Sequence, residues 1–160
     1  MYCTETRPLL QGRITAANLI NAGVDTTLLV DSAAESIIIG RGNEPVDIVF
    51  TGADELTIHG DAINKIGSFG IALAAYYASK PLYVVSSLLK VNPATAYSDV
   101  QIEMRSNEEV WDNPPKGLKL YNPAFEVIPN KLITGYITEA GIIKPEDLAR
   151  TVHEKYDWVF

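Results

Sequence analysis

The chain is poor in the residues that mark disulfide frameworks, metal sites and nucleic-acid surfaces. Its 160 residues include one cysteine and two histidines. The lone Cys3 excludes an internal disulfide and fits a reducing compartment, and the widely spaced histidines give no metal-ligand pattern. Thirteen basic residues stand against twenty acidic ones, for a net charge of −7. Without a basic run that could follow phosphates, we expect no nucleic-acid partner.

Long apolar runs are also missing. No uninterrupted apolar segment approaches the roughly 18 residues that a membrane span needs. Glu5 and Arg7 interrupt the start of the chain, where a signal peptide would place its apolar region. We therefore expect no membrane partner, a cytoplasmic location and one domain over residues 1–160.

The common catalytic and nucleotide-binding signatures are absent as well. The chain contains no G-x-G-x-x-G dinucleotide fingerprint, no P-loop and no G-x-S-x-G elbow. General motifs therefore assign no reaction.

Strand-like and helix-like patterns alternate along the chain. Residues 1–6, 26–30, 46–50 and 82–86 predict strands, and a further strand is expected within 118–127. Helices are predicted from Thr15, from Asp31, from Asp61 to Tyr77, and over 129–136 and 145–156, whereas 90–116 is expected to contain mainly loops. This order predicts an α/β fold with a mostly parallel sheet and helices on both faces.

The segment from Thr51 to Gly67 is the candidate site. It follows a predicted buried strand and contains six polar or ionisable side chains: Asp54, Glu55, His59, Asp61, Asn64 and Lys65. Ligands of parallel α/β sheets bind beyond the carboxyl ends of the strands. We expect Asp61 or Gly60 to cap the following helix, whose first amides would bind an anion together with Lys65.

A series of short motifs, in a fixed order, goes further. They are Glu5-Thr6-Arg7-Pro8 with Gln11-Gly12, Asp31-Ser32-Ala33, Gly52-Ala53-Asp54, Gly60-Asp61 with Asn64-Lys65-Ile66-Gly67, Ile102-Glu103 with Arg105, Asn122-Pro123-Ala124-Phe125, and Ile137-Thr138-Glu139 with Gly141. Together they resemble the carboxy-terminal domain of one family. It contains the alpha, beta and delta subunits of translation initiation factor 2B, methylthioribose-1-phosphate isomerase and ribose-1,5-bisphosphate isomerase. The resemblance implies a Rossmann-like, three-layer domain. Residues 102–105 and 141–143 look more like the ribose-bisphosphate branch.

The resemblance also implies roles for individual residues. In the isomerases the aspartate of G-A-D is a catalytic acid/base, which implies that role for Asp54. A sugar with a phosphorylated anomeric oxygen does not open its ring spontaneously, so a protonated carboxyl has a clear task. Asn64 and Lys65 are expected beside the substrate and Gln11 near the sugar hydroxyls, with Arg7 bracing the site or touching ligand. No cofactor or metal is implied. Without the motif, Asp54 would be read as a turn or cap residue, and Lys65 as a solvated one.

Several features depart from the family pattern. The isomerases carry a catalytic cysteine upstream of the E-T-R-P strand and an amino-terminal helical domain with phosphate-binding arginines. Cys3 does not match that cysteine and is expected to be a small strand residue. Glu55 adds a carboxylate that would repel phosphate, and Glu126 and Ile128 replace the aspartate and threonine of N-P-A-F-D-V-T-P.

Two functions therefore stay open. The first is an aldose–ketose isomerase acting on a sugar 1-phosphate, or one half of such an enzyme whose amino-terminal domain comes from a separate chain. The second is a non-catalytic module, similar to the regulatory subunits of initiation factor 2B, that binds a sugar phosphate or nucleotide or serves only for dimerisation. In both cases the family implies a homodimer, with four candidate interface residues: Phe125, Ile133, Tyr136 and Ile137.

Overall fold

The protein folds into a mixed α/β domain, with short strands and four α-helices in the part of the chain that the structure describes. The structure, a computed structural model, describes residues 1–95 and 100–159. The strands are β1 Tyr2–Thr4, β2 Thr27–Leu29, β3 Val49–Thr51, β4 Glu55–Thr57, β5 Ala62–Lys65, β6 Leu82–Val85, β7 Val91–Asn92, β8 Phe125–Ile128, β9 Gly135–Thr138 and β10 Gly141–Ile143. The helices are α1 Gln11–Asn21, α2 Ala34–Ser36, α3 Ser68–Tyr77 and α4 Leu148–Lys155.

These strands form three separate sheets. Strands β1 and β2 make a parallel pair. A second sheet has the order β10-β9-β6-β3, in which β3, β6 and β9 are parallel and β10 is antiparallel. A third sheet has the order β7-β4-β5-β8, with antiparallel pairing on both sides of β5. The predicted α/β class is confirmed, but the single mostly parallel sheet is not what the strands form.

Two predicted helices were wrong in part or in whole. The helix expected from Asp61 begins at Ser68, because residues 62–65 pair as β5 between β4 and β8. The helix expected over 129–136 is a 3-10 turn at Asn130–Leu132 followed by β9. In both places the backbone bonds of a neighbouring strand outweigh an apolar spacing that fits either structure.

The other predicted elements lie close to their expected positions. The structure has strands at 2–4, 27–29, 49–51 and 82–85, and a strand at 125–128. Helical segments follow Asp31 and Pro145, and the helix expected from Thr15 begins earlier, at Gln11. Within the expected loop region 90–116, residues 96–99 lie outside the described part of the chain.

The hydrophobic core lies in the later part of the chain. It is built from β3 to β9 with α3 and α4, around fully buried side chains such as Leu56, Leu88 and Tyr136. No residue before Ile38 belongs to this core cluster. The unit β1–α1–β2 therefore packs mainly on itself. Gly12 allows this packing, since a Cβ there would lie 1.7 Å from the Thr4 carbonyl oxygen.

Candidate active site

Asp54 lies in the tight connection that follows β3. Its backbone amide donates to the Ile63 carbonyl oxygen at 2.8 Å, which sets Asp54 beside Asn64 on the neighbouring strand β5. Ala53 is buried, whereas Asp54 is exposed. The backbone thus fixes the position of this aspartate, and its carboxyl group remains open to a ligand.

Asn64 and Lys65 come from β5 and not from a helix. The Asn64 side-chain amide donates to Thr51 Oγ1 at 2.8 Å, and this bond joins β5 to the end of β3. Lys65 Nζ lies 4.7 Å from the centre of the Phe125 ring on β8. Both side chains are half-buried. The structure therefore brings Asp54, Asn64 and Lys65 together at one edge of the fold.

Lys90 contacts the backbone next to Asp54, a role that the sequence analysis did not predict. Its ammonium group donates to the Ala53 carbonyl oxygen at 2.5 Å, across 37 residues of chain. It therefore holds the peptide group directly before Asp54. The sequence offers no local signal for this contact, because Lys90 follows β6 in a segment that reads as a loop.

Arg7 and Gln11 belong to the connection between β1 and α1. The Asp31 carboxylate accepts hydrogen bonds from the backbone amides of Thr6 and Arg7, at 2.8 and 2.6 Å. The Arg7 guanidinium donates to the carbonyl oxygens of Val110 and Glu109, at 2.9 and 3.4 Å. Arg7 thus braces a loop through carbonyl groups and forms no ion pair in the described regions. Gln11 is exposed at the first position of α1.

A groove of about 940 Å³ separates these two groups of residues. Thr6 and Gly12 line it on the β1 side, and Thr51, Asn64 and Lys65 line it on the β3 side. Within residues 1–95 and 100–159, no hydrogen bond joins Arg7 or Gln11 to Asp54, Asn64 or Lys65. Of the predicted site residues, Asn64 and Lys65 line the groove, whereas Arg7, Gln11 and Asp54 are not among its lining residues, so the five do not form a single contact cluster.

The predicted anion site at the start of a helix was wrong. Asp61 is buried and caps no helix. It accepts from Thr57 Oγ1 at 3.0 Å and from the Asn130 amide at 2.9 Å, which fixes the β4–β5 turn. At the true start of α3, one oxygen of Glu126 accepts from the amides of Gly67 and Phe69, at 2.6 and 2.8 Å. A protein carboxylate already occupies the place that an anion would take.

Glu103, Arg105 and Glu139, which belong to the motif series, connect loops through ion pairs and hydrogen bonds. Arg105 pairs with Glu109 at 2.6 Å, and its hydrogen bond lowers the pKa of the Glu109 carboxyl. Arg105 also contacts Glu103 at 3.4 Å. Burial opposes ionisation of Glu139, but hydrogen bonds from its own amide, the Leu88 amide, Tyr156 and Ser87 leave its pKa below the usual value.

Cys3 is a half-buried residue of β1, and burial raises the pKa of its thiol. A raised pKa leaves the thiol protonated and weakly nucleophilic. No group of three or more His, Cys, Asp or Glu side chains in the described ranges could hold a metal ion. Among the same residues, no helix has the length and apolarity of a membrane span.

The comparisons with known proteins agree with the motif series. The model of the initiation factor 2 subunit family matches residues 1–145. The chain belongs to this family. A similar family member is the ribose 1,5-bisphosphate isomerase of Methanocaldococcus jannaschii, 40% identical over 99% of this chain and 51% of that protein.

Two solved structures of family members share the fold. The 5-methylthioribose 1-phosphate isomerase of Pyrococcus horikoshii OT3 has a TM-score of 0.85 and 32% identity, covering 98% of this chain and 45% of that one. The delta subunit of translation initiation factor eIF-2B from A. fulgidus has a TM-score of 0.82 and 35% identity, covering 91% and 44%. The chain thus spans about half the length of the relatives that it matches.

Proposed function

We propose that the chain is the sugar-phosphate-binding, Rossmann-like domain of an aldose–ketose isomerase, with Asp54 as its acid/base. The observation that carries the proposal is the fixed position of Asp54 beside Asn64 and Lys65, at the carboxyl end of β3. Relatives that are about 40% identical over most of the chain are isomerases of ribose 1,5-bisphosphate and methylthioribose 1-phosphate, which supports this substrate class.

The residues divide the task by their chemistry. A protonated Asp54 donates to the ring oxygen of the sugar, which opens a ring that the anomeric phosphate keeps closed. Lys65 supplies a positive charge for an anionic substrate, and the Asn64 amide orients a hydroxyl. Gln11, across the groove, is placed near the remaining hydroxyls, and Arg7 holds the connection that carries it. We further propose that the domain acts as a homodimer in the cytoplasm.

The exposure of Asp54 sets a condition on this chemistry. A positioned acid acts most strongly in a site from which water is excluded, and the described residues leave Asp54 exposed. The proposal therefore requires a cover over Asp54 that is supplied by substrate or by further polypeptide, such as an amino-terminal domain on a separate chain.

Turnover of ribose 1,5-bisphosphate to ribulose 1,5-bisphosphate by the purified chain tests the proposal. Loss of a positioned acid/base costs about 10² to 10⁴ in rate, so Asp54→Asn should abolish measurable turnover. Asp112→Asn, in an exposed loop, is the matched control and should keep full activity. Equal activity in Asp54→Asn and the unaltered chain would contradict the role of Asp54. Absence of turnover in all three proteins would show that this chain is not a complete catalyst for that substrate.

A second function is a regulatory, non-catalytic module. The similarity to the eIF-2B delta subunit and the exposed Asp54 favour it. If this function is correct, we expect a sugar phosphate or nucleotide to bind without turnover. The unaltered chain and the Asp54→Asn variant should then bind it with equal affinity. Calorimetric titration of both proteins with ribose 1,5-bisphosphate and with AMP separates the two functions.

A further inference from the structure

One short segment of the chain contacts the backbone on both sides of Asp54. This segment, Ser87 to Asn92, begins just after β6 and ends with β7. Before Asp54, the Lys90 ammonium group donates to the Ala53 carbonyl oxygen. After Asp54, β7 pairs in parallel with β4. The position of Asp54 therefore depends on where the 87–92 segment lies.

A carboxylate from a distant part of the chain holds the start of the 87–92 segment. Glu139 directly follows β9, and its two side-chain oxygens accept from the Leu88 amide at 3.1 and 3.2 Å. One of these oxygens, Oε1, also accepts from the Ser87 hydroxyl at 3.2 Å. These bonds cross 51 and 52 residues of chain. Glu139 thus joins the end of β9 to the segment that carries Lys90.

The turn between these bonds and Lys90 is short and bonded within itself. The Ser87 hydroxyl, which donates to Glu139, accepts from the Leu89 amide at 3.2 Å. The Ser87 carbonyl oxygen accepts from the Lys90 amide at 3.2 Å, and the fully buried Leu88 fixes the turn against the core. A movement of Ser87 therefore reaches Lys90 through a single 3-10 turn.

A tyrosine at the end of α4 adds a further donor to Glu139. The Tyr156 hydroxyl donates to Oε1 of Glu139 at 3.1 Å. The Tyr156 amide donates to the Val152 carbonyl oxygen at 2.7 Å, and Val152 and Leu148 are fully buried, so α4 sets the position of the tyrosine. Tyr156 lies beyond residues 1–145, which the family model matches. The family match therefore does not account for this contact.

The donors around Glu139 suit an ionised carboxylate. They are four in number: the Ser87 hydroxyl, the Leu88 amide, the amide of Glu139 itself and the Tyr156 hydroxyl. Burial raises the pKa of the Glu139 carboxyl, and the four hydrogen bonds together lower it further than burial raises it. Hydrogen bonds to an ionised acceptor are stronger than those between neutral groups. The carboxylate is therefore held in one orientation.

We propose that Glu139 is a positioning residue of the candidate site. Its carboxylate holds the 87–92 segment beside the end of β9, and the segment carries the Lys90 ammonium group to the peptide group before Asp54. The assignment of Asp54 as the acid/base rests on the proposed function. The link from Glu139 to the backbone at Asp54 does not, and it is tested without substrate.

Nuclear magnetic resonance of the folded protein tests this link. The Ala53 carbonyl carbon reports on the bond from Lys90, and the Asp54 amide reports on the next peptide group. The displacement of both resonances in Lys90→Met is the reference. Because residues in one hydrogen-bond network are coupled, Glu139→Ala should move both in the same direction, by about half of the reference or more. A loss of stability alone leaves the resonances of the folded state in place.

Three further variants grade the effect. Tyr156→Phe removes one hydrogen bond and should give a smaller displacement in the same direction, and it continues the test if Glu139→Ala does not fold. Glu139→Gln keeps an oxygen at the place of Oε1, which accepts from three donors, and should restore most of what Glu139→Ala loses. Glu146→Ala, at an exposed glutamate with a 3.8 Å surface ion pair, should leave both resonances unchanged. Circular dichroism verifies that each variant folds.

The double variant Glu139→Ala/Lys90→Met shows whether the effect passes through Lys90. Without the ammonium group, loss of Glu139 should move the two resonances by less than about half as much as it does in the unaltered chain. Unchanged Ala53 and Asp54 resonances in folded Glu139→Ala would overturn the proposal. Equal displacement by Glu139→Ala with and without Lys90 would do the same. Absence of turnover concerns only the proposed function, because these resonances are measured without substrate.

Discussion

Lys90 positions the peptide group that precedes Asp54. A buried carbonyl that accepts from a charged donor is worth about 1.5 to 3 kcal/mol, and exposure of the lysine reduces this contribution. Because its contact is with Ala53 and not with a ligand, Lys90 is a positioning residue. Its effect on the site should reach Asp54 through the backbone.

Replacing Lys90 should loosen the Asp54 loop. We expect Lys90→Met to lower the free energy of unfolding by about 1 kcal/mol and to speed exchange of the Asp54 amide. Lys144→Met, at an exposed lysine with a 3.8 Å surface ion pair, should change stability by less than about 0.5 kcal/mol. Equal stability and equal Asp54 exchange in Lys90→Met and the unaltered chain would contradict the positioning role.

At the scale of elements, α3 begins on a carboxylate from another strand. Gly67 has a φ of 101°, and Glu126 of β8 accepts from amides on both sides of Ser68. Loss of such a cap costs about 0.5 to 2 kcal/mol. We expect Glu126→Ala to destabilise the protein by about 1 kcal/mol in urea unfolding, whereas Glu146→Ala, an exposed glutamate, should be nearly neutral. An unchanged urea midpoint in Glu126→Ala would exclude a capping role.

The same elements show where sequence reasoning succeeds and where it does not. Local signals predict some elements. Runs of β-branched residues bounded by turn residues mark the strands before Asp31 and Asp54, and a proline at the first turn marks the helix after Pro145. Strand β5 has no such signal. Ile63 and Ile66 have a spacing that fits a helix, and only the pairing of β5 with β4 and β8 decides the matter. The capping role of Glu126 is likewise hidden in the sequence, because its partners are 57 and 59 residues away.

For the candidate site, the motifs propose residues but do not give their arrangement. Asp54, Asn64 and Lys65 were found through motifs, and the structure places them at one edge. Long-range contacts such as Lys90 to Ala53 and Arg7 to Val110 have no local signature, so the sequence alone does not reveal them. The number of neighbours is equally hidden: β1 pairs only with β2, and β3 only with β6, among the described residues, and a strand pattern does not state this.

At the scale of the whole molecule, the division of the core predicts unequal stability. The unit β1–α1–β2 contributes no residue to the main cluster and exposes apolar side chains of its own, with Ile14 and Ile20 at 65% and 56%. Regions with few buried apolar contacts open at lower free energy than the core. We therefore expect the unit to open locally while the β3–β6–β9 sheet stays folded.

Native-state hydrogen exchange measures this difference directly. The amides of Glu5 and Thr27 bond within the unit, and the amides of Leu82 and Thr134 bond within the core sheet. We expect opening free energies for the first pair to be lower by at least about 2 kcal/mol. Leu29→Ala should lower both pairs, because the locally open state and the fully unfolded chain both lack the contacts of Leu29. Leu82→Ala, at a 1% exposed core position, should lower only the second pair, by about 2 to 5 kcal/mol, because the core stays folded when the unit opens. Equal opening free energies at all four amides would mean that the chain unfolds as one unit.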